Sequence, residues 1–375
     1  MTRADIVFVG LGAAAMSLAI RLVRDQYPGR VLFIEPHPDR GDDRTWCGWG
    51  PGNHPFQSCI TRKWPQWGVS AGDQSVVAGH PDTPYEMLRA SDVAALAGAA
   101  IAERPDWVVL GNRALASAER IDTGWRLLLD NGDEVQTTRV LDARPPALSL
   151  QRPWVWQSFV GVELADHDFG QADTVRLMDF VEEAPPIAAF FYELPIARDR
   201  RLVEFTQFTP EPADEHAMRA RIDTLLAERG WQGARVIRTE SGHLPMAPIP
   251  PYSKEGWMRI GTAGGSMRPA TGYAFHAIQR WADAASRALC TGKPPPTPQR
   301  SGLLDWLDGV FLESLWQNPR TAGSQFIRLF RNVPPDALGR FLMSQPRALD
   351  IMYVLRALPV RPMLRAAWQH GWRRT

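Results

Sequence analysis

Three sets of residues in this chain have types and spacings that can do chemistry. The first is Gly10-Leu11-Gly12-Ala13-Ala14-Ala15, which follows the apolar run Ile6–Val9 and reads G-x-G-x-x-A. In that pattern Gly10 permits a tight turn, Gly12 lets backbone approach a pyrophosphate, and Ala15 lets a helix pack closely on a strand. The helix opening at Ala13 offers its positive end to phosphates. Glu35 lies 25 residues after Gly10, closing a second apolar run, where an acid reaches a ribose hydroxyl. A purely structural glycine turn would use the same letters. The second set is carboxylates among apolar neighbours. In Arg201-Leu202-Val203-Glu204-Phe205-Thr206, alternation puts Leu202, Glu204 and Thr206 on one face and Val203 and Phe205 on the other. A lone Glu in an apolar strand is costly unless paired or neutral; a solvent-facing Glu on a half-exposed sheet gives the same string. Asp179, in Leu177-Met178-Asp179-Phe180, can orient Glu204 or hold a water, and equally fits a structural turn. Glu313, beside Phe311 and Leu312, reads as the solvated face of a helix. The third set is the small-residue turn Gly261-Thr262-Ala263-Gly264-Gly265-Ser266 ahead of a helix, which can cradle a phosphate or the edge of a flavin ring; a plain capping loop also fits.

The elements that must position these residues are readable in part. Residues 5–9, 13–24 and 31–34 read as strand, helix and strand. Residues 41–67 read as irregular, followed by a helix from about Pro84 to Ala100 and a strand over 107–110. Asp122-Thr123-Gly124 and Asp130-Asn131-Gly132 mark the turns of an antiparallel meander over 117–141, which leads into Asp142-Ala143-Arg144. This meander, the Asp142–Arg144 segment and the turn at Gly264 and Gly265 are the second and third contacts that FAD enzymes use and NAD dehydrogenases lack. Strand-like runs over 156–162, 174–180, 188–194 and 201–206 predict an antiparallel sheet and a second domain. Asp214–Arg229 predicts a helix stopped at Gly230, and a helix is expected from about Gly272 to Cys290. Lys293–Pro298 is a stiff linker, with helices beyond it broken at Pro334, Pro346 and Pro359.

Composition bounds the rest. With 375 residues, 45% hydrophobic and 22% charged, the chain suits two interleaved globular domains. A net charge of +1 gives no sign of nucleic-acid binding. No apolar stretch suits a membrane-spanning helix, and the opening residues carry no secretory pattern. Three scattered cysteines fit neither a disulfide scaffold nor a zinc site, and the histidines show no metal spacing. A cytoplasmic location is expected. From Ser314 onward ten Arg face only Asp336 and Asp350, so this segment carries +8 and the remainder −7.

Eight segments, in order along nearly the whole chain, resemble the flavin-containing lycopene cyclases of bacteria and plants. They are VGLGAAAMSLAIRL (9–22), DRTW (43–46), VLDARP (140–145), QSFVGVEL (157–164), RLMDF (176–180), RLVEFTQF (201–208), SGHLPM (241–246) and RPATGYAFHAIQRWAD (268–283). This chain departs from the family pattern in having Arg44 where His often precedes Thr-Trp, Arg268 in place of a frequent His, Phe205 where an acid commonly follows the matched Glu, and Gly41-Asp42-Asp43 in place of a double glycine.

The resemblance implies an α/β fold of aromatic-hydroxylase or geranylgeranyl-reductase type. Residues 1–150 would form the first part of an FAD-binding Rossmann-like domain, with an irregular 41–80 segment facing the substrate domain. Residues 151–240 would form the antiparallel substrate domain, 241–292 the last part of the FAD domain, and 293–375 a linker and basic helical region in contact with a membrane. It implies FAD held by Gly10, Gly12, Ala13, Ala15, Glu35, Arg44, Thr45, Trp46, Asp142, Arg144, Gly264, Gly265, Gly272 and Tyr273, with NAD(P)H as reductant and no metal. It also implies the chemistry, an isomerisation without net electron transfer. An acid protonates an end-group double bond of lycopene, the carbocation closes a ring, and a base removes a proton. Reduced flavin would stabilise the cation or take part in proton transfer. An alkene needs an acid that stays protonated in an apolar pocket, and Glu204 is that candidate, with Asp179 as its partner. An insoluble polyene has to be collected from a bilayer. The Arg-rich end and its apolar runs at 351–355 and 363–364 therefore predict peripheral association with the inner face of the cell membrane.

Overall fold

The computed structural model describes residues 2–39, 41–50, 52–181 and 187–372. It opens as read, with β1 (Thr2–Val9), α1 (Ala13–Arg24) and β2 (Val31–Glu35). Ile6, Val7, Phe8 and Val9 are all buried, because β1 is covered on both faces, as parallel strands are. Ile6 and Phe8 pack with Leu18 and Leu22 of α1, while Val7 and Val9 pack with Leu127 and Leu129.

The next stretch differs from its reading. Residues 45–89 carry five strands, β3 (Thr45–Trp49), β4 (Ile60–Trp64), β5 (Gln66–Ala71), β6 (Gln74–Gly79) and β7 (Tyr85–Arg89), and the helix α2 starts only at Ala90 (Ala90–Ala102). The cause is tertiary: Tyr85, Met87 and Leu88 are buried because β7 is the middle strand of the sheet β3-β7-β4. β5 pairs in parallel with a strand more than a hundred residues away, which no local pattern reveals.

β8 (Val108–Gly111) and the meander β9 (Leu115–Ile121), β10 (Gly124–Leu129) and β11 (Glu134–Asp142) follow. β11 pairs antiparallel with β10 and parallel with β1, aligning Asp142 with Val9. Next come β12 (Val155–Ala165), β13 (Thr174–Phe180), β14 (Ala188–Ala197), β15 (Arg200–Thr209), α3 (Glu215–Glu228) and β16 (Arg235–Met246). Asp214 caps α3 by accepting from the backbone N–H of His216 and Ala217. β17 (Ser253–Lys254) and β18 (Trp257–Arg259) return to the first sheet, and α4 (Phe275–Cys290) packs on α1.

The first sheet runs β17-β18-β11-β1-β2-β8, with β9 and β10 branching from β11. The second runs β16-β12-β15-β14-β13-β5-β6. It therefore takes two strands from within residues 1–150, and its edge strand passes residue 240.

Five helices close the chain: α5 (Gly302–Gln317), α6 (Ala322–Asn332), α7 (Pro335–Leu342), α8 (Ala348–Ala357) and α9 (Val360–Trp372). The breaks fall at the prolines, which supply no N–H and disfavour helix in the preceding residue. These helices share one apolar core with the second sheet, joining Leu312, Phe326 and Leu338 to Trp67, Phe190 and Phe208. A Cβ on Gly323 of α6 would lie 2.5 Å from the Cβ of Ala71, so that helix sits directly on β5. Glu313, read as solvated, is fully buried and paired with Arg152 at 2.8 Å. Arg268 is likewise buried against Asp308 of α5 at 2.8 Å, its guanidinium 4.1 Å from the centre of the Phe341 ring.

Candidate active site

The C-terminal edge of the parallel strands gathers the first set of residues. Gly10 has φ +93°, and a Cβ there would come within 3.6 Å of Ala143, just after β11. Glu35 accepts from the N–H of Leu11 at 2.7 Å and of His37 at 2.9 Å, which ties the end of β2 to the glycine loop. Gly12 begins α1 with no side-chain cap, and open space lies where its Cβ would be. With glycine as its cap residue, this helix leaves its first N–H groups uncapped, as a pyrophosphate site requires. Asp142 is buried and holds Arg144 through two bonds of 2.9 Å. A Cβ on Gly261 would stand 3.2 Å from that of Ala14, so the Gly261–Gly264 turn reaches the same helix end. Gly10, Gly12, Ala13, Ala15, Glu35 and Asp142 therefore meet at one edge, with the turn that carries Gly264 and Gly265 beside them.

Glu204 lies on β15, an inner strand of the second sheet between β12 and β14. Alternation holds: Val203 and Phe205 pack against Ile222 and Leu225 of α3, while Leu202 and Phe208 turn to the opposite face. Glu204 shares that opposite face, paired in register with Tyr192 of β14 and Gly161 of β12. Its Oε1 accepts from the Thr206 hydroxyl at 2.8 Å. Burial, followed by the nearby charge of Glu240, raises its carboxyl to about 8.

Glu240, on β16, was not singled out by its sequence pattern. Gly161 is in register with Glu204 on one side and with Glu240 on the other. The two carboxylates therefore flank one glycine on one face of three adjacent strands. A Cβ on Gly161 would stand 3.0 Å from Glu240 Cγ and 3.3 Å from its Oε1. Glu240 Oε2 accepts from the Thr45 hydroxyl and from Arg238, both at 2.9 Å. Its Oε1 is buried and has no hydrogen-bond donor among the described residues. Arg238 also reaches Glu163 at 3.1 Å and Asp42 at 3.4 Å, and Glu163 is held by Arg89 at 2.6 Å and Arg200 at 2.5 Å. Burial works to raise the Glu163 carboxyl, but these three guanidiniums outweigh it and leave it below its ordinary value.

Tyr192, in register with Glu204, and Tyr273, close enough to feel its charge, connect Glu204 to a cluster of buried aromatic rings. The hydroxyls of Tyr85 and Tyr273 lie 3.2 Å apart, and Trp49 meets both rings edge-on at centroid distances of 4.9 and 5.5 Å. Burial pushes the thiol of Cys47 and the hydroxyls of Tyr192 and Tyr273 up, so all three stay neutral. Rings arranged this way stabilise a cation held between them.

The remaining sequence candidates are scattered. Thr45 anchors Glu240, Trp46 stacks on Phe275 at 5.7 Å, and Arg44 is exposed against Asp43. Gly272, at φ +71°, packs against Gln157, and Tyr273 belongs to the aromatic cluster. Asp179 does not join Glu204. It pairs with Phe191, on the α3 face, and is held there by Ser70 at 2.5 Å, Arg176 at 3.1 Å and Arg229 at 3.4 Å. Among the described residues no cluster of His, Cys, Asp or Glu suits a metal ion.

This architecture, a Rossmann-like layer joined to an antiparallel sheet with a helical end, is that of FAD-dependent reductases and halogenases. A geranylgeranyl bacteriochlorophyll reductase-like protein from Thermoplasma acidophilum superposes with a TM-score of 0.70 over 97% of this chain and 98% of its own, at 15% identity. The flavin-dependent brominase Bmp2 superposes at 0.61 over the whole of both chains, also at 15% identity. The family is narrower than the fold. The family model described as lycopene cyclase protein matches residues 5–368, and the chain belongs to that family. The lycopene beta-cyclase of Pseudescherichia vulneris is 24% identical over 97% of this chain and 96% of its own length. That of Paracoccus sp. (strain N81106 / MBIC 01143) is 27% identical over 80% and 78%.

Proposed function

We propose that the chain is an FAD-dependent lycopene cyclase that closes beta-ionone rings by acid–base isomerisation, with Glu204 as the acid. The observation that carries this reading is a carboxylic acid, protonated near neutral pH by burial, adjoining an aromatic cluster in a flavoprotein fold. Glu204 protonates the end-group double bond, the next double bond attacks the resulting cation to form the ring bond, and a ring proton is then lost. Protons and electrons balance without an external oxidant. The aromatic rings hold the cation and exclude water that would trap it as an alcohol.

The residues of the parallel-sheet edge fit FAD. The uncapped start of α1 and the open side of Gly12 would take the pyrophosphate, Glu35 the ribose, and the Gly264–Gly265 turn the flavin end. Bound and reduced by NAD(P)H, the flavin would supply electron-rich character that stabilises positive charge.

The C-terminal helices suit peripheral contact with an anionic bilayer on the cytoplasmic side. No helix among the described residues is long and apolar enough to cross a membrane. Leu349, Met352 and Leu355 on α8 and Val360, Leu364 and Trp368 on α9 are nevertheless exposed, with Leu364 and Trp368 each 65% accessible. Arg356, Arg361 and Arg365 flank this stripe, the pattern of a helix lying in the interface. An apolar cavity of about 260 Å³ is lined by Leu355, Val360 and Leu364 of these helices and also by Arg268, Ala270 and Thr271, in the loop that carries Tyr273. Two of the ten arginines, Arg373 and Arg374, lie outside the described residues.

Expression in a lycopene-accumulating bacterium, with pigments resolved by chromatography, tests the activity; cyclic carotenoids are expected. Anaerobic turnover with dithionite-reduced FAD and no NAD(P)H should continue over many cycles per flavin. A requirement for O₂ would favour a monooxygenase, a chemistry carried by another protein of this fold, the p-nitrophenol 4-monooxygenase of Pseudomonas putida.

A further inference from the structure

We infer that Glu240 is a positioning residue that forms one proton-sharing pair with Glu204 across Gly161. Three observations converge. The register places both carboxylates beside the same glycine on the same face. Gly161 leaves the space that Glu240 fills, since a Cβ there would stand 3.0 Å from Glu240 Cγ. Among the described residues Glu240 Oε1 is buried and receives no hydrogen bond, although its other oxygen takes two. A buried carboxylate oxygen without a donor is costly, and a proton on a neighbouring acid relieves that cost.

The two acids are held unequally. Glu240 faces the Arg238 guanidinium and the Thr45 hydroxyl, with Asp42 and Glu163 on the far side of Arg238. Glu204 has neutral neighbours in Thr206, Cys47, Tyr192 and Tyr273, and the charges that act on it are its partner's and, more weakly, that of Arg238, which Glu240 holds directly. Two neighbouring carboxylates disfavour ionising together at rest, so the charge rests on Glu240 and the proton on Glu204 until a carbocation forms beside them. When Glu204 gives its proton to the polyene, the pair becomes doubly charged beside a carbocation. The proton that the ring then loses returns to the pair, which restores the starting state with no net uptake.

This inference rests on the cyclase reading, and its test separates the two. The acid form of Glu204 can be followed without substrate by the carboxylic C=O band in infrared difference spectra, assigned by its loss in E204Q. In wild-type protein the band should disappear as pH rises through about 8. E240Q should move that transition down by about one pH unit, because the neighbouring charge is gone and Arg238 is left unbalanced. R238Q should move it up, because the Glu240 charge is then unopposed. The upper limb of the cyclisation pH profile should follow the band in both variants. An unmoved transition in E240Q overturns the pairing. Should E240Q fail to fold, R238Q decides alone, and a transition that does not rise overturns it. Band shifts of the expected sign in a protein that makes no cyclic product would sink the cyclase reading and leave the pairing standing.

Discussion

The two faces of the seven-stranded sheet use the same strands for different ends. On the α3 face, Phe205, Phe191 and Val203 pack with Met218 and Leu226, and the charges there, Asp179 and Glu193, are neutralised by Arg176, Arg201 and Arg229. On the opposite face, one residue along each strand, Glu204 and Glu240 sit with one buried oxygen unpaired among the described residues and tyrosines nearby. The first face settles its electrostatics and is stable; the second keeps a carboxylic acid poised. Functional sites store such unresolved polarity and depend on the rest of the fold to tolerate it.

The largest effect that can test this contrast is at Glu204. E204Q is expected to lower product formation at matched flavin occupancy by about 10²–10⁴-fold or more, as loss of a positioned general acid does. E204D should also be poor, since its carboxyl withdraws by one methylene. Wild-type cyclisation should fall as pH rises through about 8, where Glu204 loses its proton. Folded Glu204 binds its proton more tightly than the unfolded chain, whose ordinary value is 4.5. Wild-type stability should therefore decline from about pH 4.5 upward and level off above about pH 8, a slope absent from E204Q in thermal melts.

Phe205, one residue along the strand, should behave in the opposite way. F205A is expected to cost about 3–5 kcal/mol of stability in denaturant unfolding, through the cavity it leaves. The surviving folded fraction should turn over at close to the wild-type rate. Equal losses of turnover from F205A and E204Q would mean that the faces are not functionally separate. G161A comes next. Its methyl must displace Glu240, for about 1–3 kcal/mol of strain, and the Glu204 transition should move as in E240Q while both carboxylates remain. D179N is the smallest, with cyclisation within about twofold of wild type, because Asp179 lies across the sheet from the acid. A tenfold loss would return it to the mechanism.

Glu204 was legible because alternation along β15 is regular and its neighbours are apolar. Asp179 was not, for an identifiable reason. Arg176 pairs with Glu193 and Asp179 with Phe191, so three residues of β13 span two of β14. This bulge turns Asp179 away from the Glu204 face, and bulges leave little trace in a short apolar run. The Gly10–Ala15 loop, Glu35 and Asp142 could be read because a glycine pattern, a helix and a strand follow one another locally. Glu240 could not, since its significance lies in sharing Gly161 with a strand two places away. The nearest signal was Gly161 itself, a glycine inside the otherwise large-residue run Phe159–Leu164, where a close approach is a common cause. Within residues 45–79, β3 and β4 were hidden because each pairs only with β7, whereas β5 and β6 form a local hairpin that the pattern did not disclose.

The order of strands also sets a timetable for biosynthesis. The parallel sheet contains residues 2–9 yet is finished only by β18 at Trp257–Arg259, and the second sheet is covered only when α6 arrives at Ala322–Asn332. A ribosome at about 5–20 residues per second holds the glycine loop of the nascent chain for many seconds before its last sheet neighbour emerges. Throughout that interval Trp67, Phe190 and Phe208 have no α5–α9 to bury them. Such a chain has to be shielded from aggregation while it is made, and truncations that remove the closing helices should accumulate as insoluble protein rather than as a smaller active enzyme.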